Sequence, residues 1–183
     1  MLDKNHATFE NFQLLEERLI PSSSYLFFYE NAFLKINLIK EITSKQSLPI
    51  LYVDLDFLFS GYVKSKLLTI PNLTLFSTLE SKINEILPKI FTKLATKPHF
   101  VIFDSINGLY NTLSNDVDSG RLVNSILMLL ARNISFSNSI LIISALAGKK
   151  ENDWVLPNGR QILENDVMKK FVISDRSKII FEN

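Results

Sequence analysis

The sequence predicts an α/β protein: a doubly wound, mainly parallel sheet with helices on both faces, closed at its C-terminal end by an antiparallel hairpin. Three observations predict it. Short apolar runs rich in β-branched and aromatic residues recur along the chain, and most of the first five are continuous rather than alternating, as strands covered on both faces must be. The segments between them show helical spacing. The last two runs are separated only by Asp175-Arg176-Ser177, a turn-like interval that fits a hairpin.

The first strand is read from Tyr25 to Tyr29, and the chain passes from it into a helical stretch with Lys35 near the junction. Ile50 to Val53 is the second strand and leads into Asp54 and Asp56; Leu73 to Phe76 is the third. Leu79 to Leu94 then sets Leu79, Ile83, Ile86, Leu87, Ile90, Phe91 and Leu94 close to a 3.6-residue period, so a helix is expected there, kinked or split by Pro88. Phe100 to Phe103 is a strand ending in Asp104 and Ser105. Arg121 to Ala131 is a helix apolar enough to be buried on more than one side, and Ile140 to Ser144 is the strand after it. Phe171 to Ser174 and Lys178 to Phe181 form the hairpin.

At 183 residues, without repeat, low-complexity tract or long linker, the chain reads as one domain, 1–183, with a core large enough to fold without metal or crosslinks. It has no cysteine, which excludes disulfides, thiolate metal sites and a cysteine nucleophile, and makes an intracellular location the expectation. Twenty Lys+Arg stand against 19 Asp+Glu, so any nucleic-acid surface must be local rather than global. The first 20 residues carry acids through their apolar stretch, unlike a signal or transit peptide, and no apolar run approaches the ~20 residues of a membrane span. The expected place is therefore cytoplasmic, or nuclear in a eukaryote, with no secretion and no membrane partner.

Candidate chemistry concentrates where open α/β sheets place ligands, beyond the carboxyl ends of the strands. Lys35 follows the first strand, Asp56 the second, and Asp104 with Ser105 the central one. In a phosphate-loop enzyme an aspartate placed like Asp104 holds Mg²⁺ through water; it can equally cap a helix or form a turn. Asp54, Asp56 and Asp104 could also converge on Mg²⁺ without such a loop. His6 and His99 are too few for a histidine metal cluster, and no serine lies in G-x-S-x-G. No metal ligand set is assigned. Lys149, Lys150 and Trp154 offer the mixture of cations and an aromatic ring that single strands favour, unless the indole packs on the core beneath an exposed lysine pair.

The order of these elements resembles the core of the RecA/RadA recombinase superfamily from Leu19 to Phe181. "RLIPSSSYLFFYEN" is similar to the family's approach to its phosphate loop, "LYVDLD" to the strand ending in Asp-x-Glu, and "VIFDSINGLY" to the Walker B strand. "SGRLVNSILMLLARNISFSNSILIIS" resembles the helix and strand leading to the family's Asn-Gln pair, and "LPNGRQILENDVMKKFVIS" the glycine-bearing segment and late strands. The departures matter more. With Lys35 set on the phosphate-loop lysine, Tyr29 and Leu34 replace both glycines of G-x-x-x-x-G-K-[ST], and Ile36 replaces the Mg²⁺-binding hydroxyl. Ser144-Ala145 stands at the Asn-Gln pair, and Asp56 is a shorter acid at the catalytic glutamate position.

What the resemblance implies is a RecA-like phosphate site whose residues have been lost: Lys35 an ordinary helix-start lysine, Asp104 a relic, and the bulk of Phe33 and Leu34 where phosphate would sit. ATP and Mg²⁺ are then not expected as cofactors, nor ATPase activity. The implied function is that of a non-hydrolysing accessory or regulatory subunit in DNA recombination or repair, working through another RecA-fold subunit or a second copy. Residues 1–20 are a candidate docking element that could equally pack on its own domain, and single-stranded DNA is expected to bind weakly. The alternatives are a nucleotide switch using Lys35, Asp56 and Asp104, and an assembly subunit resembling those of Elongator.

Overall fold

The structure is a computed structural model that describes residues 9–150, 153–162, 168–174 and 176–182. In chain order the elements are α1 (Phe12–Arg18), β1 (Ser23–Tyr29), α2 (Ala32–Ser44), β2 (Ile50–Asp54), α3 (Leu58–Lys64), β3 (Leu73–Ser77), α4 (Ile83–Leu94), β4 (Phe100–Asp104), α5 (Ile106–Thr112), α6 (Ser119–Phe136), β5 (Ile140–Leu146), β6 (Gly148–Lys150), β7 (Asp153–Val155), a 3₁₀ turn (Pro157–Gly159), β8 (Met168–Ile173) and β9 (Ile179–Glu182). Seven strands form one sheet in the order β3-β2-β4-β5-β1-β8-β9. Every pairing in it is parallel except β8 with β9, the hairpin expected from the sequence. β6 and β7 form a separate antiparallel ribbon.

Alternate residues of the strands enter two different cores, which the unbroken apolar runs conceal. Leu26, Phe28, Leu51, Val53, Val101, Phe103, Leu141 and Ile143 meet α4, α5 and α6 in a mainly aliphatic cluster. Tyr25, Phe27, Tyr29, Tyr52, Phe100 and Phe171 meet α1, α2 and α3 in an aromatic one, where Phe27 stacks on Phe171 with centroids 4.9 Å apart. The register sets Ser77, Asp54, Asp104, Ser144 and Phe27 in one row across the carboxyl end of the sheet. Four polar residues in that row are fully enclosed, so each must find its partners inside the protein.

Two expectations are corrected here, those for α4 and α6. α4 is one helix from Ile83, with Pro88 inside it and Leu79 exposed ahead of it. Pro88 and Asn84, whose carbonyl loses its helical donor, both face solvent, where water can replace the missing bond. α6 buries a single face, Val123, Leu127, Leu130, Ala131 and Ile134, and leaves Leu122, Met128, Leu129 and Phe136 exposed, because no further layer covers it among the described residues. The N-terminal segment, within the described residues, docks on its own domain: Phe9, Leu15 and Leu19 are buried in the aromatic core, and Glu10 bridges Lys178 through backbone and a 2.8 Å ion pair. Residues 1–8 of the proposed docking element, including His6, lie outside the described residues, as do 163–167 of the late glycine-bearing segment.

His99 is buried at the foot of β4, its backbone N–H donated to Ser139 Oγ at 2.9 Å and its Nδ1 against the Lys97 carbonyl at 2.8 Å. Burial pushes its pKa below the ordinary histidine value. The folded ring thus resists protonation while the unfolded one accepts a proton near pH 6.5, so stability is complete above that pH and falls as pH drops below it. Raised carboxyl pKa values at Asp54 and Asp56 act in the opposite sense, in a window above pH 3.8. The expected result is that urea midpoints at pH 7.5 and 5.5 differ less in His99→Gln than in the parent; equal differences would exclude a titrating His99.

Candidate functional site

The turn from β1 into α2 carries the residues set against the phosphate loop. Asn31 caps α2, its side-chain oxygen accepting the N–H of Phe33 at 2.9 Å and of Leu34 at 3.3 Å. Two backbone donors at the start of the helix, the groups that would cradle a phosphate, are therefore already satisfied. Phe33 itself points outward, 53% exposed, so the expected steric block by its side chain is corrected: a hydrogen-bonding cap fills the position. Phe33, Phe57, Leu79 and Leu146 give the carboxyl edge an exposed apolar rim.

Lys35 is not an ordinary helix-start lysine. It is 1% exposed, and its ammonium donates to both oxygens of Asp104 at 2.7 and 2.8 Å. Asp104 also accepts the hydroxyl of Tyr52 at 2.5 Å and that of Ser144. A carboxylate offers about four lone-pair positions, and all are occupied. The ammonium lies 4.9 Å from the Tyr29 ring centroid and 3.9 Å from Asp56 Oδ2. Burial alone pushes the lysine pKa down, but Asp104, then Tyr29 and Asp56, outweigh it and hold it above the ordinary value. Burial raises the Tyr29 hydroxyl to about 12 against the pull of Lys35, and lifts Tyr52 well above its usual range, with Asp104 adding to the shift.

The neighbouring acids are held separately. Asp54 accepts the Ser60 N–H at 2.6 Å through Oδ2, while its buried Oδ1 has no hydrogen-bond partner; burial raises its pKa. Asp56 is raised by burial first, with a hydrogen bond from Ser105 opposing. Ser105 caps α5 by accepting the Gly108 N–H at 3.2 Å. Asn107 locks α5 to the end of β5, accepting the Leu146 N–H at 2.7 Å and donating to its carbonyl at 3.2 Å. The structure thus brings Lys35, Asp56, Asp104 and Ser105 together. The three aspartates do not converge as ligands, and among the described residues no group of three or more acids, histidines or cysteines could hold a metal ion.

Lys149, Lys150 and Trp154 lie apart from this cluster, on the β6–β7 ribbon. The lysines are exposed, and Lys149 sits opposite Trp154 in register. The indole is half-buried, stacked at 11° and 6.4 Å on Phe28 against the aliphatic core, the packing alternative foreseen in the sequence. Residues 151–152 of this ribbon lie outside the described residues. Sequence reasoning missed Asn31 and Tyr52 as members of the site, and gave Tyr29 no role beyond replacing a glycine. Tyrosines inside apolar strands were the available signal, since a buried hydroxyl requires a partner.

No family model matches the chain. No curated protein matches it. Among solved structures it is similar to a protein of Pyrococcus horikoshii OT3, with TM-score 0.59 and 15% identity over 92% of this chain and 90% of that one. It is also similar to a DnaB-like replicative helicase whose structure was determined together with its interactions with primase, with TM-score 0.56 and 12% identity over 84% of this chain and 47% of that one. The chain thus spans less than half of the helicase's length. Identities this low speak for the fold alone, and the fold they share is RecA-like. Among the described residues no helix is long and apolar enough to cross a membrane.

Proposed function

We propose that this chain is a non-hydrolysing RecA-fold subunit that works by binding a protein partner, another RecA-fold chain or a second copy of itself, in an accessory role in DNA recombination or repair. One observation carries the first half of this reading: the two groups a phosphate-loop enzyme uses on nucleotide and Mg²⁺, here Lys35 and Asp104, are consumed by each other. Asn31 adds to it by occupying the cradle donors. To admit a phosphate, Lys35 would have to leave a buried carboxylate uncompensated, which costs several kcal/mol. The partner class and the pathway rest on the resemblance of "LYVDLD" and "VIFDSINGLY" to the recombinase core, and the exposed apolar rim around the filled position supports a docking role.

The expected result with Mg-ATP is no turnover and no stabilisation through this position. A nucleotide supplied at about 100 times its Kd would add roughly 2.7 kcal/mol to a protein that bound it. Phosphate release together with a melting shift lost in Lys35→Met would overturn the proposal and favour a nucleotide switch.

A further inference from the structure

On the opposite side of the sheet, a groove of about 860 Å³ opens between the end of α5, the outer face of α6 and the 3₁₀ turn after β7. Its polar lining includes Ser114, Ser119, Arg121, Ser125, Asn158 and Arg160, and no acid contributes to its walls among the described residues. The volume is that of a small-molecule site. Two guanidiniums in one groove of a nearly neutral chain are a local concentration of positive charge.

Arg160 is held in place by neutral groups. Its Nη2 donates to Asn111 Oδ1 at 2.7 Å, its Nη1 to the Asn107 carbonyl at 3.3 Å, and it lies 5.1 Å from the Tyr110 ring centroid. Tyr110 is itself fixed by donating its hydroxyl to the Gln161 carbonyl at 2.7 Å. Those bonds orient the planar fork without neutralising it, and leave N–H groups for an acceptor. Among the described residues neither Arg121 nor Arg160 forms an ion pair. Arg121 also borders a second depression, of about 440 Å³, whose walls carry Asp116 and Asp118. An extended polyanion running past Arg121 into that depression would meet those carboxylates, which favours a compact anion confined to the acid-free groove.

We propose that this groove binds a compact multivalent oxyanion, the phosphate or pyrophosphate group of a small phosphorylated molecule, gripped by Arg160 and Arg121 with serine hydroxyls as further donors. The inference goes beyond the proposed function and uses none of the residues that carry it.

The test is calorimetric titration of the full chain with inorganic pyrophosphate, without divalent cations, in the parent, Arg121→Ala and Arg160→Lys, with a dT oligonucleotide as a separate arm. Saturable binding is expected, weakened about tenfold or more in Arg121→Ala, a change at an exposed position, because a charge-assisted hydrogen bond is lost. Arg160→Lys should also weaken it, since a lysine keeps the charge but not the fork. No saturable binding, binding unchanged in Arg121→Ala, or an oligonucleotide that binds more tightly and displaces pyrophosphate would each overturn the proposal. Any melting shift with Mg-ATP is assigned by the same variant: a shift abolished by Arg121→Ala belongs to the groove, and one that survives it counts against the proposed function instead.

Discussion

Asp104→Asn is expected to lower stability by roughly 3 to 5 kcal/mol, because it leaves the buried Lys35 ammonium with only the more distant Asp56, 3.9 Å away, as a charged partner. For a domain of this size that corresponds to a fall in melting temperature on the order of 10 °C, and to a large share of the ~5 to 15 kcal/mol that holds such domains together. The loss should be far greater than the ~1 kcal/mol of an ordinary hydrogen bond that the sequence reading would assign to a relic aspartate. Adding Lys35→Met should recover more than half of it, since the uncompensated charge is removed while the introduced amide oxygen can still accept from one of the two hydroxyls, Tyr52 or Ser144, that the carboxylate holds on its separate oxygens. Thermal and urea unfolding of the single and double variants decide the matter. An Asp104→Asn protein within about 1 kcal/mol of the parent would show that the ion pair adds nothing beyond its hydrogen bonds.

Gly108→Ala should be the second most damaging change, although alanine is intrinsically better than glycine in a helix by about 1 kcal/mol. A Cβ there would stand 2.6 Å from Asp56 Oδ1, 2.6 Å from Leu55 Cβ and 2.9 Å from the Leu55 carbonyl carbon. Neither partner can retreat easily. Leu55 is tied by its N–H to the Asp104 carbonyl at 2.6 Å, and α5 is anchored at Ser105 and Asn107. A loss of about 3 kcal/mol is expected from overpacking of this kind. A variant melting at or above the parent would mean that α5 moves freely, and with it the clamp that holds Asp56.

Most of the fold was legible because each strand is a short apolar run and each helix an amphipathic one, and because the run order alone specifies a crossover topology. The two-faced alternation was not, since burial on both sides leaves every position apolar. Pro88 and α6 misled for related reasons: whether a proline breaks a helix depends on where the orphaned carbonyl points, and whether a helix is buried twice depends on whether another layer exists. At the site, the motif departures pointed to Lys35, Asp56, Asp104 and Ser105, which the structure brings together, but not to their state. A lysine's burial is decided by a carboxylate 69 residues away in the chain, and no local pattern reports that distance. The same holds for Tyr52, whose partner is 52 residues on, and for Asn31, which reads as a turn former until its two N–H partners are seen.

The position of β1 in the sheet has a consequence for synthesis of the chain. Its neighbours are β5 and β8, both from later in the chain, so β1 is flanked on both sides only after residue 173 exists. "YLFFY" is a bare, uncharged aromatic segment with both edges unpaired until β5 is made at residue 146 and with one edge unpaired until residue 173, so β1 cannot join the sheet in chain order. Contacts this distant in sequence make folding slow and leave the nascent chain open to wrong strand pairing, which places a premium on chaperone shelter during translation.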